Sequence, residues 1–158
     1  MKNHLNIAFF HGLESAAVSR KSEWLHQSFD RVYAPAMDYA RTELFAEVLE
    51  QVIGRNIQLL AGSSMGGWFA YCLSTHTGIP TILFNPAMHS RRIEPKVTLG
   101  DKTAAHRVVL GRNDEVISPQ MTMDWIGKNE PESFSVSWED NAHRTPIDIF
   151  AKHILGMV

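Results

Sequence analysis

Short apolar runs alternate with amphipathic segments along the chain. The apolar runs predict strands at residues 7–11, 32–35, 57–62, 81–86, 107–111 and 133–138. The remaining segments carry apolar residues at three- and four-residue spacing and predict helices at residues 19–29, 41–54, 66–78, 118–129 and 145–158. Strands that alternate with helices are typical of an α/β fold built around a parallel sheet. No element is predicted for residues 87–105.

Capping residues support the boundaries of several predicted helices. Ser118 and Thr145 each stand directly before a proline, so each is predicted to cap a helix that starts with that proline. Thr42 is predicted to begin the second helix, and Gly54 to end it. We therefore expect these helices to begin and end close to the four residues.

The composition favours a single globular domain at residues 1–158. Apolar residues make up 44% and charged residues 20%, which is ordinary for a globular protein of this length. The net charge of −2 gives no support to nucleic-acid binding or to contact with an anionic membrane. No apolar run approaches the roughly 20 residues that would cross a bilayer, and the run near the N-terminus is too short for a signal peptide. A single cysteine, Cys72, excludes an internal disulfide, so we expect a soluble cytoplasmic protein.

The strongest candidate for chemistry is the sequence "GSSMG" at residues 62–66. It fits the pattern G-x-S-x-G, with Ser64 at the centre, and it lies between a predicted strand and a predicted helix. A sharp turn from strand to helix crowds the positions two residues before and after its apex, which explains the glycines. The apex serine is then exposed near a helix N-terminus, where developing negative charge is favoured. The pattern predicts a nucleophile elbow.

This glycine-rich stretch has two other interpretations. A turn that serves packing alone is one alternative. A phosphate-binding loop is disfavoured, because a dinucleotide-binding motif needs glycine where Ser64 stands and a Walker loop needs a lysine that the stretch lacks.

A nucleophilic serine needs a base and an acid that orients the base. On this sheet arrangement the acid and then the histidine follow later strands. Asp114 comes directly after the fifth predicted strand, and His143 directly after the sixth. Glu115 is an alternative acid, and Asp140 could orient His143 locally, but the sequence around it is typical of a polar turn. We predict Ser64, Asp114 and His143 as the catalytic residues.

The loop after the first predicted strand, which begins with His11, is expected to complete the site. Such a loop offers a backbone N–H to the oxyanion, and we predict that His11 fixes its shape without acting in the reaction. The oxyanion donors would be the N–H groups of Leu13 and of Met65, the residue after the nucleophile.

Several further residues were considered for the pocket. Trp68 is predicted to pack in the core or to form a pocket wall. Arg91 and Arg92 could meet an anionic substrate, although a solvated pair is the preferred interpretation. No spacing of His, Cys, Asp or Glu predicts a metal site, and the chemistry needs no cofactor.

The motifs "HGLES", "GSSMGG", "GRNDEV" and "AHR", in this order, resemble those of α/β hydrolases. The small size is similar to that of the bacterial YqiA/YcfP-like esterase family. The resemblance implies a compact α/β-hydrolase fold without the usual first two strands, with helices on both faces and little or no lid. It also implies a strand order of 2-1-3-4-5-6, with the cleft at the switch point between strands 1 and 3.

The resemblance implies the same site, with Ser64 as nucleophile, Asp114 as acid, His143 as base, and Leu13 and Met65 as oxyanion donors. Its first loop departs from the family pattern, which commonly has an aromatic residue and then asparagine where this chain has Leu13 and Glu14. A carboxylate near the pocket mouth would disfavour anionic substrates. The possible pocket residues are His11, Glu14, Trp68 and Arg91.

The function predicted from these residues is that of a serine esterase or thioesterase. It would cleave a small-molecule carboxylic ester or thioester through an acyl-enzyme on Ser64. A non-catalytic binding module on the same fold is one alternative, and an acyltransferase that uses the same residues is another.

Overall fold

The computed structural model of the protein describes residues 1–158 and contains one sheet with helices around it. The strands are β1 (Asn3–Phe10), β2 (Phe29–Tyr33), β3 (Leu59–Ser63), β4 (Thr81–Phe84), β5 (His106–Gly111) and β6 (Phe134–Glu139). The helices are α1 (Arg20–Ser28), α2 (Leu44–Gly54), α3 (Met65–Thr77), α4 (Pro119–Lys128) and α5 (Ile147–Leu155), with one short 3-10 turn at Pro131–Ser133.

The sheet has the strand order that the resemblance implied. The six strands run β2-β1-β3-β4-β5-β6, and all five neighbouring pairs are parallel. β2 lies on one side of β1, whereas β3 to β6 follow on its other side. The loops after the neighbouring strands β1 and β3 therefore separate at the carboxyl edge of the sheet. That edge is where ligands bind in open α/β sheets.

Alternate residues of the strands face opposite sides of the sheet and build two cores. Phe10, Leu60 and Leu83 pack on one side with apolar residues of α2, α3 and α4. Phe9 and Phe84 pack on the other side with apolar residues of α1 and α5. Helices therefore cover both faces, and each strand of the centre is buried on both sides.

The helix α3 is buried around most of its circumference. Eleven of its residues, Met65 to Thr75, are buried. The stretch 85–105 contains no helix or strand and lies against the C-terminal part of α3, where Lys102 N–H donates to Thr75 O at 2.9 Å. Gly100 comes so close that a Cβ atom there would lie 2.3 Å from Thr75 O. The stretch therefore packs against α3 and covers it.

Some predicted boundaries were wrong. β1 begins at Asn3, four residues before the prediction, and β2 begins at Phe29, which was predicted to be helical. Phe29 is not helical, because its extended backbone places its ring in the core beneath α1. β4 ends at Phe84, two residues early, because Asn85 has a positive φ of 43°.

The predicted caps were only partly right. Ser118 caps α4 as predicted, since its hydroxyl accepts from Met121 N–H and Pro119 is the first helical residue. Thr42 does not cap α2, because the turn before this helix continues to Glu43. Gly54 is still helical, and Asn56 takes the left-handed conformation after it, with φ 51°. Thr145 does not cap α5, because Pro146 itself occupies the position before the first helical residue. None of the helices is long and apolar enough to cross a membrane.

Candidate active site

The turn between β3 and α3 presents Ser64 at the carboxyl edge of the sheet. Ser64 has φ 54° and ψ −117°, a conformation that side-chain-bearing residues rarely adopt. Its N–H donates to Phe84 O of β4 at 3.0 Å, and its carbonyl accepts from Ala87 N–H at 2.9 Å. The neighbouring strand and its loop therefore hold the strained turn in place.

The glycines on either side of this turn are required by close backbone contacts. A Cβ atom on Gly62 would lie 2.1 Å from Gly66 O, and one on Gly66 would lie 1.9 Å from Phe10 O. Both distances are far below any real carbon–oxygen contact. The steric explanation for the sequence G-x-S-x-G therefore applies in this structure.

Three side chains form a hydrogen-bonded chain that starts at Ser64. Its Oγ lies 3.1 Å from Nε2 of His143, and Nδ1 of the same ring lies 2.8 Å from Oδ2 of Asp114. An ionised carboxylate only accepts, so Nδ1 carries the proton and Nε2 is free to accept from the serine hydroxyl. The side chain of Asp114 is 1% exposed and that of His143 is 21% exposed. The arrangement leaves His143 in contact with both a buried carboxylate and an accessible hydroxyl.

The second carboxylate oxygen of Asp114 is also used. Oδ1 accepts from the N–H groups of Val116 and Ile117 at 2.8 and 2.9 Å. These bonds fix the orientation of the carboxylate toward the histidine. The two alternative acids are elsewhere, because Glu115 is exposed and Asp140 pairs with Arg112 at 2.7 Å. The structure brings Asp114, and neither alternative, to His143.

Asn85 holds the loop that carries the histidine. Its Nδ2 donates to His143 O at 2.8 Å, and its Oδ1 accepts from Gly111 N–H of β5 at 2.7 Å. The side chain is buried, and the positive φ of this residue is one that asparagine tolerates well. Asn85 was not predicted as a site residue, because it falls within the predicted strand at residues 81–86. Asparagine before proline at a strand end was the available signal.

The candidate oxyanion donors lie beside the serine. Met65 is the first residue of α3, a position whose N–H has no acceptor within the helix. Leu13 N–H donates to no other group of the protein. The loop that carries it touches the nucleophile turn, since a Cβ atom on Gly12 would lie 3.5 Å from Ser64 Cβ. Both N–H groups are free to donate to an oxygen next to Ser64.

His11 is bonded to backbone on both sides of its ring. Nδ1 donates to Gly12 O at 2.7 Å, and Nε2 accepts from Met37 N–H at 3.0 Å. The Tyr39 hydroxyl donates to the carbonyl of His11, and burial raises the pKa of that tyrosine. The ring does not reach Ser64, and its contacts fix the loop that ends in Leu13.

A cavity of about 530 Å³ opens at Ser64 and His143. Its walls include Leu13, Met65 and several residues of the stretch after β4. Glu14 and Arg92 both line it and form an exposed ion pair with each other, which joins the loop after β1 to the stretch after β4. Glu14 therefore lines this cavity with its carboxylate paired to Arg92.

Trp68 occupies the core, one of its two predicted positions, whereas the solvated position preferred for Arg91 is wrong. Trp68 does not line the cavity at Ser64, because it is buried beside Tyr71 on α3. Arg91 is not a solvated residue. Its guanidinium carbon lies 4.1 Å from the centre of the Trp68 ring, and its Nη1 donates to the carbonyls of Ala87 and Met88. The side chain thus fixes the stretch after β4 on α3 and contributes to the cavity wall.

No group of three or more His, Cys, Asp and Glu side chains in the structure could hold a metal ion. The single cysteine, Cys72, is buried, and burial raises the pKa of its thiol to about 12. His106 is also buried, and its pKa is lowered to about 4 by burial. Among the titratable groups of the site, His143 alone contacts the hydroxyl of Ser64.

Comparisons with known proteins bear on the family and the fold. The model of an uncharacterised protein family, UPF0227, matches residues 6–105. No curated protein sequence matches the chain significantly. A crystal structure from Xanthomonas campestris pv. campestris, of a protein of the α/β-hydrolase superfamily, is similar with a TM-score of 0.73. Its sequence identity is 19%, and the match covers 97% of this chain and 98% of that one.

Two further structures are similar over nearly the whole chain. One belongs to the metagenome-derived lipolytic enzymes LipS and LipT, with a TM-score of 0.72, 11% identity, and coverage of 99% of this chain and 94% of that one. The other is S-formylglutathione hydrolase from Staphylococcus aureus, with a TM-score of 0.66, 14% identity, and coverage of 99% and 83%. At these identities the likeness establishes an α/β-hydrolase fold.

Proposed function

The chain belongs to the uncharacterised protein family UPF0227, the YqiA/YcfP-like family, and we propose that it is a serine hydrolase that cleaves a carboxylic ester or thioester. The observation that carries the proposal is the hydrogen-bonded chain from Asp114 through His143 to Ser64, at 2.8 and 3.1 Å. A serine held against a histidine in this tautomer has a base for its proton. The names of two similar structures, a lipolytic enzyme and S-formylglutathione hydrolase, support an ester or thioester as substrate.

In the acylation step, Ser64 Oγ attacks the carbonyl carbon of the substrate. Its proton passes to Nε2 of His143, and the carbonyl oxygen becomes an oxyanion between the N–H groups of Leu13 and Met65. Asp114 keeps the imidazole oriented and stabilises the positive charge that the ring now carries. The carbon–oxygen or carbon–sulfur bond then breaks, and His143 gives its proton to the leaving alcohol or thiol.

In the deacylation step, a water molecule takes the place of the leaving group. His143 removes a proton from this water, and the resulting hydroxide attacks the acyl-enzyme carbonyl. Collapse of the second oxyanion breaks the bond to Ser64 Oγ, and His143 returns its proton to the serine. The products are a carboxylic acid and an enzyme ready for another cycle.

The experiment that tests the proposal is intact-mass detection of a fluorophosphonate adduct. We expect one adduct on the wild type and none on Ser64→Ala, since the probe reacts with activated serines. Ser135→Ala, which alters an exposed serine on β6, is the matched control and should be labelled like the wild type. An adduct that persists on Ser64→Ala, or its absence from a folded wild type, would contradict the mechanism. The second result would point to a binding module.

A further inference from the structure

A second cavity, of about 310 Å³, adjoins the one at Ser64. The residues that line both cavities are Gly12, Ser15, Lys21, Ser63, Arg144 and Thr145. The two are therefore parts of one continuous depression at the carboxyl edge of the sheet. A substrate whose scissile carbonyl lies at Ser64 can extend into the second part.

The second cavity is strongly basic. Arg20, Lys21 and Arg144 line it, and no aspartate or glutamate does. This is not a consequence of the overall charge, because the chain has a net charge of −2. The three cations come from the start of α1 and from the loop after β6, which are distant in sequence and brought together by the fold.

The basic residues of the two cavities differ in whether they have a partner in the protein. In the cavity at Ser64, Arg91 pairs with Glu94, and Arg92 pairs with Glu14. By contrast, the side chains of Arg20, Lys21 and Arg144 form no salt bridge and no hydrogen bond with another group of the protein, and Lys21 and Arg144 line both cavities. Lys21 is half-buried, and an unpaired cation is costly there, whereas Arg144 is exposed and accessible to a ligand.

The environment of Lys21 is the more unfavourable of the two for a cation. Its side chain is half-buried, and its favourable contact with the face of the Phe150 ring, whose centre lies 5.8 Å from the ammonium, offsets only part of the cost of burial. Burial, and then the charge of Arg144, lower the pKa of this lysine. A bound anion would offset both effects at once, since it supplies opposite charge and hydrogen-bond acceptors.

A neutral donor is available in the same region. The hydroxyl of Ser63, next to the candidate nucleophile, is buried and has no hydrogen-bond partner within the protein. Ser63 lines both cavities. A buried hydroxyl without a partner costs free energy, and an oxygen atom of a ligand would satisfy it. The region thus offers two cations and one hydroxyl to the same ligand.

We propose that Lys21 and Arg144 form an anion-binding subsite, and that the substrate is an ester or thioester with a carboxylate or phosphate group near its scissile carbonyl. This inference rests on the proposed function, and it names the class of substrate. Because Lys21 and Arg144 line both cavities, the anionic group of the substrate lies where the two cavities meet. The expectation that Glu14 disfavours anionic substrates does not apply, since Arg92 neutralises its charge.

The kinetic test uses two pairs of esters that differ in charge. Mono-4-nitrophenyl glutarate and 4-nitrophenyl valerate differ by a carboxylate on the acyl side. 2-(Butyryloxy)ethyl phosphate and 2-hydroxyethyl butyrate differ by a phosphate on the alcohol side. The quantity compared is the ratio of kcat/KM for the anionic ester to that for its neutral partner, because the ratio cancels any loss of active-site structure that both substrates share.

We expect the wild type to prefer at least one anionic ester to its neutral partner. Lys21→Met and Arg144→Met should each lower that preference by roughly tenfold, as expected for the loss of a charged hydrogen bond. Lys128→Met removes one exposed lysine from the end of α4 and should leave the ratio unchanged. No preference in the wild type, or a preference that survives both substitutions, would overturn the anion subsite while leaving the hydrolase proposal intact.

A binding test decides the case in which none of the four esters is hydrolysed. Inorganic phosphate and glutarate are added at constant ionic strength, and the thermal unfolding temperature is measured. At ten times the dissociation constant we expect a rise of about 3 °C for the wild type and for Lys128→Met. The rise should be lost in Lys21→Met and Arg144→Met. Equal shifts in all four proteins, or no shift in the wild type, would show that the subsite does not exist.

Discussion

Two histidine loops at the carboxyl edge of the sheet differ in the kind of partner that each ring has. His11, after β1, bonds to the carbonyl of Gly12 and the N–H of Met37, both of which are backbone groups. His143, after β6, bonds to the side chains of Asp114 and Ser64. Both rings carry their proton on Nδ1 by the same hydrogen-bond argument, so the tautomer does not distinguish them.

The difference in partners separates a structural histidine from a reactive one. Backbone partners cannot move or release a proton at moderate cost, so His11 serves to hold the loop of Leu13 in one conformation. The serine hydroxyl on His143 can give up its proton to the ring, and the carboxylate behind it stabilises the resulting charge. Loss of His143 should therefore affect the reaction, and loss of His11 mainly the fold.

The largest expected effect is on the rate after removal of His143. For His143→Ala we expect kcat for an ester substrate to fall on the order of 10³ to 10⁶-fold, because Ser64 loses its base. Labelling of Ser64 by a fluorophosphonate should slow in parallel. Circular dichroism and thermal unfolding would show whether the variant keeps its fold.

The matched variant His11→Ala should lose stability and keep most of its activity. It leaves the N–H of Met37 and the carbonyl of Gly12 without their partner inside the protein, so we expect the free energy of unfolding to fall by about 3 kcal/mol. Its loss of kcat at a temperature where it is folded should be much smaller than that of His143→Ala. A variant as stable as the wild type but as inactive as His143→Ala would refute the distinction between the two loops.

A smaller effect is expected from Asn85, which orients the reactive histidine loop through the backbone. Asn85→Asp keeps an acceptor for Gly111 N–H but loses the donor to His143 O. We expect kcat to fall by about tenfold with KM little changed, since the base is misoriented in the transition state. Asn113→Asp adds the same charge to the neighbouring exposed loop and is the control. If both variants lowered kcat equally, the loss would come from the added charge and not from the missing hydrogen bond to His143.

Much of this site was predictable because its determinants are local. The glycines at positions 62 and 66 mark a turn that is too crowded for any larger residue there. Asp114 and His143 each follow a strand that is recognisable by its apolar run. The parallel sheet then brings the strand ends together at one edge. Hence the sequence was enough to predict which three side chains would meet.

The remaining features depend on packing between distant segments. Arg91 was expected to be solvated, but the fold lays its guanidinium on Trp68 of another element. The approach of Lys21 to Arg144 joins α1 to the loop after β6, and no periodicity in either segment indicates it. The predicted caps at Thr42 and Thr145 were each wrong by one residue, which is within the range over which helix ends fray.

A third histidine, His106, lies at the start of β5, far from the carboxyl edge of the sheet. Its ring is neutral. Its Nδ1 is 2.9 Å from the Thr81 hydroxyl, and its ring packs against Tyr71 and Phe134. Burial lowers its pKa to about 4, whereas an unfolded histidine has a pKa of about 6.5. The unfolded state therefore binds the extra proton first, and stability is lost as the pH falls from about 6.5 to about 4.

This third histidine should affect the pH dependence of stability and leave the reaction alone. Between pH 7.5 and pH 5, the free energy of unfolding of the wild type should include a loss of roughly 2 kcal/mol from His106. We expect that part of the loss to be absent in His106→Gln, measured by urea unfolding at each pH, even if the variant is less stable at pH 7.5. The pH profile of kcat should be the same in both proteins, because His106 contacts Thr81, Tyr71 and Phe134 and none of the reacting groups. If His106→Gln kept the full loss of stability, the burial of a neutral His106 would be refuted; if it shifted the profile of kcat, a ring remote from Ser64 would be coupled to the reaction.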